Sequence, residues 1–185
     1  MEAPAVTRHR RPFLAPVWMS VLVAAAIAGG AWSFYRAAVT TLIVLVPVPD
    51  AQPGLLSDPP ISAEGELRAQ SVARMFGALR GDGALDAVYV SDERRAQQSA
   101  APLAERLHRA PVAFKAADAP ATATRLLREH RGGTVLVVAG ARSLAQMVRE
   151  LTGADGPRAA EPGADAVYVL SIPSVGDPRL LRITL

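Results

Sequence analysis

The chain has 185 residues, half of them apolar, with 20 Lys and Arg against 17 Asp and Glu and no cysteine. The missing cysteine excludes disulfides, thiolate nucleophiles and zinc–thiolate sites. Arg8, Arg10, Arg11 and Glu2 all lie in the first eleven residues, leaving 17 basic and 16 acidic residues beyond them. That near-neutral remainder lacks the basic excess that nucleic-acid binding demands, so nucleic acid is excluded as a main partner despite a sequence pI of about 9.9.

The first element is an apolar stretch over residues 12–35 that holds no charged side chain. A helix needs roughly 20 such residues to cross a bilayer at ~1.5 Å rise per residue, so the stretch predicts a transmembrane helix between a cytoplasmic tail (1–11) and a linker (36–40). Arg8, Arg10 and Arg11 precede it and only Arg36 follows closely. The positive-inside bias therefore keeps the amino terminus cytoplasmic and the rest of the chain extracytoplasmic, which is periplasmic in a two-membrane envelope. Trp18 at one end and Trp32, Phe34 and Tyr35 at the other suit the two headgroup regions. A cleaved signal peptide is the rival reading, because Ala26-Ile27-Ala28 before Gly29 forms an A-x-A-like site. The apolar run continues past that site and exceeds an ordinary h-region. Arg10-Arg11-Pro12-Phe13-Leu14 bears a weak likeness to a twin-arginine export signal. Ala24 with Ala28 and Ala25 with Gly29 provide small-xxx-small spacings through which two spans could form a homodimer.

Residues 41–185 predict one folded domain. Thr41-Leu42-Ile43-Val44-Leu45-Val46 reads as a central parallel strand buried on both faces, ended by Pro47 and Pro49. A loop follows from Asp50 to Pro60. Ser62 is placed to cap a helix whose Val72, Met75, Phe76 and Leu79 form a buried stripe. Ala87–Val90 predicts a second strand, and residues 94–109 a helix interrupted or kinked near Pro102. A short strand at 112–114, a helix at 121–130 ended by Gly132-Gly133, a strong strand at 134–138 and a further helix follow. Residues 166–172 and 180–185 predict a terminal hairpin or edge pair around 173–178. The alternation makes this a three-layer α/β/α sandwich with a mostly parallel sheet, whose ligands belong at the carboxyl ends of the strands. Those ends are 47–50, 91–95 and 139–143.

Four segments carry a resemblance. Leu42 to Asp50 reads as a strand with its turn, and Ile61-Ser62-Ala63-Glu64-Gly65-Glu66-Leu67-Arg68-Ala69 as a helix entry. Ser91-Asp92-Glu93-Arg94-Arg95-Ala96-Gln97-Gln98-Ser99-Ala100-Ala101-Pro102-Leu103-Ala104 forms a strand-to-helix segment, and Gly133-Thr134-Val135-Leu136-Val137-Val138-Ala139-Gly140-Ala141-Arg142-Ser143-Leu144 closes the set. In this order they resemble the histidine phosphatase, or phosphoglycerate-mutase-like, superfamily, in a degenerate form. The resemblance implies that fold and a strand-end phosphate pocket. It also implies that Val48 and Gly140 stand where the two catalytic histidines belong, that Pro47 replaces the first pocket arginine, and that Asp50 falls at an acidic position found in some members.

The family's reaction needs an imidazole nitrogen to attack phosphorus and cations to stabilise the equatorial oxygens. Valine offers no lone pair. The chain's histidines are His9, His108 and His130, one before the predicted span and two near helix ends. No catalytic residue is therefore assigned, and no cofactor or metal site is expected. Arg95 is the expected phosphate-binding residue, with Arg142 a second candidate; a salt bridge from Arg95 to Asp92 or Asp50 and a solvent-facing Arg142 are the competing structural readings. Ser91 reads as a helix cap, since no histidine base stands by it. The function expected is a membrane-anchored, extracytoplasmic, catalytically inactive binding or scaffold module. Its partner would be a phosphate-bearing small molecule or an envelope protein. The alternative is a residual phosphohydrolase acting on a phosphomonoester with a non-histidine nucleophile.

Overall fold

The computed structural model describes residues 17–37, 39–48, 58–153 and 166–184. The chain divides into two units, residues 1–37 and 38–185.

The first unit contains one helix, α1 (Val17–Ala37). Its side chains are described over residues 18–34, and all of them are exposed, Trp18, Leu22, Ile27, Trp32 and Phe34 among them. Among the described residues no helix is long and apolar enough to cross a membrane. Part of the span expected over residues 12–35, and the whole tail before it, lie outside those residues.

The second unit is built on β1 (Thr40–Val48), β2 (Ala87–Ser91), β3 (Val112–Phe114), β4 (Thr134–Gly140), β5 (Ala166–Pro173) and β6 (Arg179–Thr184). They form one mixed sheet in the order β3-β2-β4-β1-β5-β6. β3, β2, β4 and β1 run parallel, while β5 lies antiparallel to both β1 and β6. The expected terminal hairpin is thus β5–β6. The β-branched runs of β1, β2 and β4 are buried on both faces, which requires helices on each side.

Four helices supply that cover. On one face α2 (Ala63–Phe76) and α3 (Arg94–Leu107) pack Val72, Phe76, Ala96, Ala100 and Leu103 against Val44, Val46, Val88, Leu136 and Val138. On the other, α4 (Ala119–Glu129) and α5 (Ala141–Thr152) pack Ala123, Leu126, Leu144 and Met147 against Ile43, Leu45, Tyr89, Val135 and Val137. This is the expected three-layer sandwich.

Details of the helices differ from the periodicity reading. Ser62 caps α2 as expected, its Oγ accepting from Gly65 N at 3.1 Å. The buried stripe of α2 holds only Val72 and Phe76 of the four residues expected: Leu79 lies beyond the helix, which ends at Phe76, and Met75 lies within it off the buried face, the two being 38% and 47% exposed. α3 runs on through Pro102 rather than being interrupted there. Proline costs a helix the donor that would bond four residues back, and here Leu103 beside it is fully buried and holds the turn against the sheet.

The sharp turn into β4 rests on Asp86. Its Oδ2 accepts from Thr134 N at 2.8 Å, and its own N–H donates to Thr134 O at 2.8 Å. Arg109 donates to the carbonyls of Leu85 and Asp86 at the entry to β2. Gly132, at φ +79°, needs the left-handed region that glycine enters without strain.

Two histidines are now placed. His108 ends α3 in a left-handed conformation and is exposed. His130 caps α4 and stands edge-on to Tyr89, with Nε2 3.2 Å from the phenol oxygen. Tyr89 also donates to Glu129 Oε2 at 3.1 Å. Burial first, then the Glu129 carboxylate, raises the Tyr89 pKa, with Arg125 opposing. The neutral phenol is therefore favoured by the folded state. Its contribution to stability is complete below the unfolded value of about 10 and is lost as pH rises above that toward the folded value. Tyr89→Phe is expected to flatten the fall of Tm above about pH 10; an unchanged slope would show that the phenol is not a titrating group of the fold.

Candidate functional site

Parallel strands deliver β1, β2 and β4 to one edge of the sheet, and α3 and α5 depart from that edge. The register pairs Val48 with Gly140 and Pro47 with Ala139. The two positions at which the resemblance expects histidines are therefore neighbours on adjacent strands. Val48 is 3% exposed and belongs to the core between the sheet and α2–α3. Its side chain is packing, not surface. Asp50 lies outside the described residues.

The polar groups of this edge gather on Glu93. Ser91, fully buried at the end of β2, donates its Oγ proton to Glu93 Oε2 at 3.2 Å. The Gly140 backbone N–H, at the start of α5, donates to the same oxygen at 3.1 Å. Arg95 Nη2 lies 3.6 Å from Glu93 Oε1, with side chains 11% and 27% exposed respectively. A hydroxyl, a backbone amide and a guanidinium thus converge on one carboxylate.

The local sequence explains the convergence. Glu93 stands outside the first turn of α3 with extended backbone (φ −66°, ψ 131°), and its side chain makes no cap to its own helix. It turns instead toward α5. The α3 terminus is capped from elsewhere, with Asp58 Oδ1 and Oδ2 each 3.1 Å from Arg94 N. Negative charge at a helix amino terminus is favoured by the unpaired N–H groups and the dipole there. Gly140 allows the approach. A Cβ built on it would meet both Glu93 carboxylate oxygens at 3.0 Å, closer than ordinary contact.

Several sequence readings need revision. Ser91 is no helix cap; it orients Glu93. Arg95 pairs with Glu93, and Asp92 turns away to accept from Ala116 N at 3.0 Å. Arg142 is exposed on the first turn of α5, and among the described residues no hydrogen bond or ion pair joins it to Glu93 or Arg95. The residue overlooked is Glu93. Its signal was an acidic side chain between Ser91 and Arg95, opposite a strand end that carries glycine.

His108 and His130 follow the carboxyl ends of α3 and α4, and His130 precedes the start of β4 while Gly140 ends it. A seven-residue strand separates those ends by roughly 20 Å at ~3.3 Å per residue. Neither imidazole belongs to the strand-end cluster around Glu93. Among the described residues no group of three or more His, Asp or Glu stands together as a metal site.

A doubly covered sheet with a guanidinium and a carboxylate at its strand ends defines an α/β domain with a polar strand-end site. Residues 52–117 match the family model of the histidine phosphatase superfamily (branch 1). Solved structures agree in fold. A mycobacterial glucosyl-3-phosphoglycerate phosphatase superposes with a TM-score of 0.56 at 15% identity, covering 77% of this chain and 97% of its own. The protein histidine phosphatase SixA complexed with tungstate gives 0.53 at 18%, covering 77% and 96%. A phosphoglycerate mutase from Plasmodium falciparum gives 0.54 at 15%, covering 78% and 91%. No curated protein matches in sequence. The family match thus covers residues 52–117, and the shared fold extends over about three quarters of the chain.

Proposed function

We propose that this is a membrane-anchored, extracytoplasmic histidine-phosphatase-like domain that no longer performs phosphohistidine chemistry and serves as a binding or scaffold module of the envelope. The observation that carries the reading is the pairing of Val48 with Gly140 at the ends of β1 and β4. The phosphoryl acceptor of the superfamily is an imidazole nitrogen, and a buried isopropyl group beside a glycine supplies none. Glu93 adds a second obstacle, because its negative charge lies where a phosphoryl group would need positive potential.

Anchoring is supported by the charge-free stretch over residues 12–35 and by the exposed apolar side chains of α1. A helix that is apolar all round needs an apolar surrounding. The arginines before it favour an amino terminus in the cytoplasm. Among the two partner classes, an envelope protein suits the folded domain better than a phosphate-bearing small molecule, since the cleft's own carboxylate competes with the latter.

The test is phosphate release from a generic phosphomonoester by the full chain purified in detergent. The expected rate equals that of buffer alone and is unchanged by Arg95→Ala. Release that Arg95→Ala abolishes would establish the residual phosphohydrolase instead.

A further inference from the structure

The donors at the strand ends are arranged for an oxyanion, yet the oxyanion they hold is part of the chain. Ser91 Oγ, Gly140 N and Arg95 Nη2 reach Glu93 at 3.2, 3.1 and 3.6 Å. One neutral hydroxyl, one backbone amide and one guanidinium directed at two carboxylate oxygens make the same donor set that would take two oxygens of a tetrahedral oxyanion. Two neighbouring acids are engaged elsewhere, Asp92 by Ala116 N and Asp58 by Arg94 N.

Gly140 and Glu93 are matched to one another. Any side chain at position 140 would begin 3.0 Å from both carboxylate oxygens, so the carboxylate fills the volume a larger residue would claim. The backbone there (φ −59°, ψ 149°) places no demand for glycine. Space for Glu93, rather than conformation, is what glycine provides.

We propose that Glu93 is a resident anion that sets the specificity of the cleft: it occupies the oxyanion position formed by Arg95, Ser91 and the Gly140 N–H, and so excludes free oxyanion ligands. The proposal rests on the non-catalytic reading of the domain but is separable from it. Withdrawal of the carboxylate leaves the same donors able to accept phosphate, sulfate or tungstate. The consequence for the natural chain is that phosphorylated small molecules are not its ligands at this site.

The experiment measures binding of inorganic tungstate and phosphate to the full chain in detergent, by calorimetry and by the shift in Tm, for the wild type, Glu93→Ala, Glu93→Gln and Glu93→Ala with Arg95→Ala. Glu93→Gln keeps the side-chain volume and an oxygen acceptor for Ser91 and Gly140, so it reports on charge where the alanine variant fails to fold. Wild type is expected to show no saturable binding. Glu93→Ala should bind at least about tenfold more tightly than wild type, the ratio that one charge-assisted contact sustains. Glu93→Gln should fall between the two, and the double variant should lose the gain. Wild-type binding as tight as that of Glu93→Ala would overturn the proposal, as would folded Glu93→Ala or Glu93→Gln samples that bind no better than wild type. Phosphomonoester turnover is followed on the same samples. Turnover by wild type would contradict both the non-catalytic reading and the resident anion, whereas wild-type binding without turnover would contradict the resident anion alone.

Discussion

Leu136→Ala is expected to destabilise the folded domain by about 3 to 4 kcal/mol, read as a lowered denaturant midpoint with an unchanged m-value. Leu136 is fully buried in the centre of β4, between β1 and β2 in the sheet. Its side chain faces α2 and α3 and shares a cluster with Val44, Val88, Leu103 and Val138. Truncation removes the transfer free energy of three carbon atoms and leaves a cavity that a six-stranded sheet cannot collapse to fill. A loss below about 1 kcal/mol would mean that α3 does not hold its described place against the sheet.

Gly133→Ala is expected to cost about 2 kcal/mol, although one methyl group is all it adds. A Cβ at position 133 would overlap Asp86 Oδ2 and lie 2.9 Å from its Cγ. The carboxylate would have to swing away and abandon Thr134 N, whose hydrogen bond of 2.8 Å closes the entry to β4. Thr134 is 6% exposed, so water does not readily replace that acceptor. Asp86→Ala should cost a similar amount, and the two changes together should cost far less than their sum, since both remove one bond. Additive losses would show that Gly133 and Asp86 act independently.

The layers of the fold were legible because they depend on burial patterns that the chain states locally. β1 and β4 are unbroken aliphatic runs, which only a doubly covered parallel strand accommodates, and both proved fully paired inside the sheet. The order of the strands and the antiparallel placement of β5 were less accessible, because the register of β5 on β1 is set by contacts more than a hundred residues apart in sequence. Met75 and Leu79 misled for a related reason. Their spacing continues the stripe of α2, but the helix stops at Phe76 before Leu79, and the buried face runs through Ala69, Val72, Ala73 and Phe76 without Met75.

The candidate site was legible in its omissions and not in its contents. Val48 and Gly140 could be assigned from motif order, and β1–β4 pairing brings them together. Arg95 was recognisable and a carboxylate partner for it was expected, with Asp92 and Asp50 as the examples; Glu93 was not named, and Asp50 lies outside the described residues. Glu93 was passed over because an acid at the start of a helix ordinarily serves its own helix. Here the extended backbone at Glu93 carries its carboxylate across to Gly140, the residue just before the neighbouring helix, a relation between two strand ends that neither segment shows alone. The likeness in fold describes the scaffold. The internal carboxylate describes what this chain has done with it.

The most direct test of the account asks whether the cleft can hold a phosphoryl group covalently. The full chain, mixed with a radiolabelled small phosphodonor and quenched by denaturation under alkaline conditions, should carry no more protein-bound label than a chain denatured beforehand. Label approaching one equivalent per chain, and lost in Arg95→Ala, would contradict the account.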